Sequence, residues 1–242
     1  MSTVSKVVAE ALGAFALSFI GAGAICLTKV PEAGGAGGLL GVAIAHGLIL
    51  AIGVSATMNV SGGHLNPAVT VGMLVTRRIS LLDAIQYIIA QLIGATLAGA
   101  LVYMIFNGIP GKGPETIVQA ASLGSPYFNP EQINMGKAIV IEAMMTFLLV
   151  FAIFGTAVDP RAPKIGGFGI GLTICADILL GGPLTGAAMN PSRAFGPGLV
   201  ANLTGNLPVF WSQQVVYWVG PIVGAVLAAL IYDAFIMEKK KA

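Results

Sequence analysis

Ser61-Gly62-Gly63-His64-Leu65-Asn66-Pro67-Ala68-Val69-Thr70 and Thr185-Gly186-Ala187-Ala188-Met189-Asn190-Pro191-Ser192-Arg193-Ala194-Phe195-Gly196-Pro197 decide the reading of this chain. Each opens on a small-residue approach, turns at Asn-Pro and continues as an apolar stretch, about 66–76 and 190–201. Proline suits the first turn of a helix, where its missing N–H costs nothing. A helix needs about 20 apolar residues to cross the bilayer core. Both stretches are half that length, so they read as short helices that enter a membrane without crossing it.

Around them lie six apolar runs of spanning length, roughly 5–28, 38–60, 81–106, 134–158, 166–184 and 211–236. Only 9% of the 242 residues are charged, 56% are hydrophobic, and the mean hydropathy is +0.90. A soluble domain carries about 25% charge, so the composition describes an integral membrane protein and excludes disorder. The first run is too long for a cleaved signal peptide and lacks a basic leader beyond Lys6 and a cleavage site. A net charge of +2, dispersed along the chain, gives no nucleic-acid signal. Cys26 and Cys175 both sit in apolar runs and read as filler, with neither a disulfide framework nor a metal site. No cofactor is indicated.

Lys and Arg set the orientation. With the N-terminus inside, Lys6, Arg77, Arg78, Arg161, Lys164, Lys239, Lys240 and Lys241 are cytoplasmic, and Lys29, Lys112 and Lys137 lie outside. Both ends then face the cytoplasm, and the expected location is the plasma membrane.

The two halves repeat. Glu10-Ala11 matches Glu142-Ala143 at an offset of 132, Tyr87…Gly94-Ala95 matches Tyr217…Gly224-Ala225 at 130, and Asn66-Pro67-Ala68 matches Asn190-Pro191-Ser192 at 124. Each half holds three spans, so the second enters from the opposite side, as one 1–242 domain with halves at about 1–106 and 134–242. Inverted repeats with broken helices put their site near the midplane, where the breaks meet. Irregular backbone at that depth survives only beside a wet cavity or buried in protein. Both half-helices aim their partly positive ends at this point. Two Asn amides there can hold a neutral molecule by its oxygen while the dipoles repel cations.

The paired motifs, with Glu10, Glu142 and Tyr217-Trp218-Val219-Gly220-Pro221, resemble the aquaporin family (major intrinsic proteins) over nearly the whole chain. Ala157–Lys164 resembles the archaeal M-type members in particular. Ser192 departs from the family's usual Ala. The resemblance implies six tilted helices plus two re-entrant half-helices, one pore per subunit and a homotetramer in the lipid bilayer. It also implies the roles. Asn66 and Asn190 donate to the permeant; carbonyls of Gly62, Gly63, His64, Gly186, Ala187 and Ala188 accept; Glu10 and Glu142 hold loop N–H groups. The family's filter positions fall on His46, Ile178, Ala187 and Arg193, a set similar to plant tonoplast intrinsic proteins. His46 and Arg193 are there expected as donors facing an apolar wall.

The implied function is passive conduction of water, with ammonia, urea or hydrogen peroxide beside it, and exclusion of ions and protons. Ala194 and Tyr217-Trp218 speak against a glycerol facilitator. A rival class is an ion- or proton-coupled transporter, which needs a carboxylate on the path where this chain has Asn. No nucleophile or metal partner stands at usable spacing from either His, so an enzyme is not indicated. Asp177, next to Ile178, stays open from sequence: it pairs with His46, pairs with backbone, or only packs.

Overall fold

The computed structural model describes residues 1–31, 37–206 and 210–238. Lys239, Lys240 and Lys241, counted above for orientation, lie outside the described residues. In chain order the helices are α1 (Thr3–Leu27), α2 (Gly38–Thr57), α3 (Pro67–Val75), α4 (Leu81–Phe106), α5 (Ile117–Ala120), α6 (Met135–Ile153), α7 (Phe168–Thr185), α8 (Pro191–Leu203) and α9 (Phe210–Ile231). Wider π-type turns carry α6 on to Val158 and α9 on to Ile236. Six of these helices are long and apolar enough to span a membrane, and α3 and α8 are the half-helices. The sequence placed all eight within three residues of their ends. It did not resolve α5 or the turn after it.

Lipid-side and core-side residues separate by helical period, since apolar surface needs no shielding in a bilayer. On α4, Leu82, Ile85, Ile89, Ile93 and Leu97 are exposed, while Ala84, Tyr87, Gln91, Gly94, Ala95 and Ala98 are buried. Association in lipid depends on close packing of small residues, and the fold uses the same contact twice. Gly94 of α4 presses on the Ala11 backbone of α1, and Gly224 of α9 presses on the Ala143 backbone of α6. A side chain at either glycine would overlap that backbone. These two contacts anchor the α1–α4 and α6–α9 pairs, equivalent under the offsets of the inverted repeat.

Both half-helices begin alike. Asn66 and Asn190 take extended backbone, and each side-chain Oδ1 caps its helix. Asn66 Oδ1 accepts from Ala68 N at 2.8 Å, and Asn190 Oδ1 from Ser192 N at 3.0 Å. Ser192 adds its own hydroxyl, donating to Asn190 Oδ1 at 2.8 Å. The departure from Ala thus ties the second Asn more firmly.

Candidate functional site

The approach loops need support because three non-glycine residues, Leu65, Ala187 and Met189, sit at φ of 53°, 47° and 51°. Left-handed backbone costs such residues about 1–2 kcal/mol each. Two fully buried carboxylates hold it in place. Glu10 accepts from Ser61 Oγ at 2.6 Å, His64 N at 2.9 Å, Leu65 N at 2.6 Å and Gln91 Nε2 at 2.7 Å. Glu142 accepts from Thr185 Oγ1 at 2.6 Å, Ala188 N at 3.0 Å and Met189 N at 2.7 Å. Tyr87 and Tyr217 donate to the carbonyls of Ser61 and Thr185, both at 2.8 Å. The repeat differs here: the offset that pairs the tyrosines sets Pro221 opposite Gln91, and among the described residues Glu142 has no fourth donor.

With the loops fixed, the half-helices lock across the centre. Asn66 Nδ2 donates to Met189 O at 2.8 Å, and Asn190 Nδ2 donates to Leu65 O at 3.0 Å. A carboxamide carries two N–H donors. One of each pair is committed crosswise, and both asparagines line a central cavity.

That cavity is small. It admits a water-sized molecule over only about 20 Å³, against about 980 Å³ in the wide vestibule beyond His46 and Ile178. Its lining is mostly apolar, with Leu17, Leu50, Val54, Val69, Leu149, Ile153, Ile170, Ile174, Ile178 and Met189, and the loops and half-helix tips add Gly63, His64, Asn66, Ala187, Ala188, Asn190 and Arg193. Gly186 lies on the vestibule, and Gly62 does not line the central cavity. Pro67, Ala68, Pro191 and Ser192 are buried behind it, as are Glu10 and Glu142.

His46 and Arg193 meet where the cavity opens to the vestibule. His46 Nδ1 lies 2.8 Å from the Val42 carbonyl, and a carbonyl only accepts, so Nδ1 bears the proton. Nε2 is then an acceptor, 3.4 Å from Arg193 Nε and Nη2. This corrects the sequence expectation that His46 is a donor: it is an acceptor toward Arg193. Arg193 Nη2 also donates to Gly124 O at 2.7 Å. Arg193 Nη1 has no protein partner, and among the described residues no carboxylate pairs with this buried cation.

Sequence reasoning missed Gly124. It ends a turn in which Ser122, Leu123 and Gly124 are all left-handed, and nothing in its spacing marks it. Leu65 and Met189 were legible only as the residues before each Asn. Asp177 does not pair with His46. It is buried, and among the described residues its Oδ2 has no hydrogen-bond partner.

Six spans and two half-helices meeting head to head across a narrow cavity define a multi-pass membrane protein of the aquaporin fold. The chain belongs to the major intrinsic protein family, whose model matches residues 1–232. It is 41% identical over 242 residues to Aquaporin TIP4-4 of Zea mays, covering 98% of this chain and 88% of that one. It is 44% identical over 211 residues to Probable aquaporin TIP3-2 of Oryza sativa subsp. japonica, covering 86% and 72%. Among solved structures it resembles the aquaglyceroporin from Plasmodium falciparum, with a TM-score of 0.84, 28% identity and 97% of each chain covered.

Proposed function

We propose that this protein is a passive channel for water and small neutral solutes such as ammonia, urea and hydrogen peroxide, closed to ions and protons. The crossed asparagines carry this reading: each spends one N–H on the opposite loop, keeps a second to offer a permeant, and lines a cavity with room for water-sized molecules. A water passing there turns its oxygen to two donors, and the apolar side chains that make up most of the lining offer it no acceptor. Its protons then point away along the cavity in both directions, which breaks a proton-conducting chain. The likeness to proteins named aquaporin supports the same reading.

In this proposal His46, Ile178, Ala187 and Arg193 form the filter. Arg193 supplies the donor Nη1 and a charge uncompensated by any carboxylate, so a cation entering low-dielectric surroundings meets direct repulsion. Gly63, His64, Ala187 and Ala188 supply carbonyl acceptors on either side of the asparagines, with Gly62 and Gly186 continuing the row. Ion- or proton-coupled transport is not favoured, because Glu10 and Glu142 are filled by loop donors and line no part of the cavity.

The chain then works as one channel domain with repeat halves at about 1–106 and 134–242. Assembly is as a homotetramer through the exposed apolar helix faces, in the plasma membrane with both ends cytoplasmic; the Lys/Arg asymmetry supports the orientation. The experiment is stopped-flow light scattering of proteoliposomes for water, ammonia and urea, with a pH-sensitive dye inside. Water flux above that of empty liposomes, with no added proton leak, is the expected outcome. Proton flux rising in step with water flux overturns the proposal.

A further inference from the structure

We propose that Gly21 of α1 is a specificity-determining positioning residue, which sets the width of the filter by letting the His46 ring lie back against the helix. The inference rests on the channel reading above. Gly21 is buried and does not line the cavity. A Cβ built on it would stand 2.7 Å from His46 Cδ2 and 2.9 Å from Cε1, and closer still to Nε2. Contacts that short do not persist, so one partner must move. The α1 backbone cannot retreat, because Ala22, the next residue, is packed so closely on Gly124 that a Cβ on that glycine would overlap the Ala22 backbone. Gly124 in turn holds Arg193 through its carbonyl at 2.7 Å.

The ring itself is the movable part. Its Nδ1 is tethered to Val42 O, one turn back on its own helix, so displacement swings the Nε2 edge away from α1. Arg193 stands 3.4 Å from Nε2, and both side chains line the cavity, which Gly21 does not. A methyl at Gly21 therefore pushes the His46 ring out from α1 into the cavity that it lines and narrows the passage beside Arg193. Water, the smallest permeant, loses least. A solute the size of urea needs the full width and loses most.

The test uses the full chain in proteoliposomes, with four variants beside the wild type: Gly21→Ala, Gly23→Ala, His46→Ala and the double Gly21→Ala/His46→Ala. Gly23 is on the same helix, and a Cβ there meets nothing within 4 Å, so it controls for the loss of a helix glycine. Gly21→Ala is expected to raise the water-to-urea flux ratio about tenfold, the effect of a modest added barrier felt by urea alone. Gly23→Ala is expected to leave the ratio unchanged. The double variant should match His46→Ala, because the ring that the methyl displaces is gone. If Gly21→Ala fails to fold, recovery of the folded protein in the double variant supports the proposal equally, since only the His46 ring then stood in the way of the methyl. Gly21→Ala behaving as Gly23→Ala, or acting in full without the His46 ring, overturns the proposal, as does misfolding of both Gly21→Ala and the double. A wild type that conducts no water defeats the channel reading instead.

Discussion

Asn66 donates its side-chain amide to the carbonyl of Met189, 123 residues away, at 2.8 Å, and this bond joins the two half-helices at their tips. Its counterpart runs from Asn190 to Leu65. Each asparagine thus caps its own helix with Oδ1 and binds the opposite loop with Nδ2. Asn66→Ala removes the cap, worth about 1 kcal/mol, and leaves the Met189 carbonyl unmet, at about 1–3 kcal/mol. We expect a lower melting temperature in detergent and a loss of water flux, with Asn190→Ala similar. Unchanged stability in both would show the crossing to be incidental.

The buried carboxylates give a second prediction with an internal comparison. Gln in place of either Glu keeps the volume but turns an NH₂ toward N–H donors. Each unmet buried group costs about 1–3 kcal/mol. Glu10 has four donors against three for Glu142. Glu10→Gln should therefore lower the melting temperature further than Glu142→Gln. Replacing Gln91 by Leu should close most of that gap. Equal losses with Gln91 present would mean that the fourth donor contributes nothing.

Most of this fold was legible, because lipid writes a simple code. Spanning length, broken spans at Asn66-Pro67 and Asn190-Pro191, and the Glu10/Glu142 offset needed no tertiary knowledge. The filter's internal chemistry was not legible. Whether His46 donates or accepts depends on the Val42 carbonyl finding Nδ1, and the partner of Arg193 depends on a left-handed turn at Ser122–Gly124. Both are backbone acceptors, and every residue has one, so no residue type marks them. Asp177 is also silent in sequence: only packing shows that it misses His46.

Outside the membrane, one pH effect has a clear sign. Arg161 donates to Asp159 from its side chain at 2.9 and 2.6 Å and from its backbone N at 2.8 Å, and these bonds hold the carboxyl at about 2, below its ordinary 3.8. A lowered carboxyl pKa stabilises the fold above the ordinary value and loses that contribution as pH falls toward the lowered one. Arg161 also donates to Ile236 O at 2.9 Å, so this pair ties the α6–α7 loop to the end of α9. Protection of residues 159–167 against hydrogen exchange, taken relative to the intrinsic rate at each pH, should stay constant from pH 7 to about 4 and fall between about 4 and 2. Asp159→Asn should exchange faster at pH 7 and show no step. A step in the Asn variant would assign the effect to another group.

Mercurials should inhibit weakly. Cys26 is fully buried among Val102, Leu123 and Ala201, and Cys175 donates to Ala43 O at 3.2 Å within the α2–α7 contact. Neither lines the cavity, whereas Ala187 does. Ala187→Cys should therefore turn a resistant channel into a mercury-blocked one, reversed by a thiol reductant. Strong block of the wild type, relieved by replacing either native Cys, would put that residue on the path.

His46→Phe probes the filter most directly. Phe adds an apolar ring and removes the Nε2 acceptor that faces Arg193 at 3.4 Å. Arg193 keeps Gly124 as a partner, so its guanidinium stays near its present place at the cavity. Water, needing little width, should continue to pass within about threefold of the wild-type rate, since the asparagine donors and loop carbonyls are untouched. Urea should fall by about tenfold or more: its amide groups then meet a hydrocarbon ring at the narrowest point, and a polar group left unmet there costs about 1–3 kcal/mol. The measurement is the water-to-urea flux ratio in proteoliposomes at equal protein density. A ratio unchanged by the substitution would place His46 off the permeation path and assign the selectivity to Ile178 and Ala187.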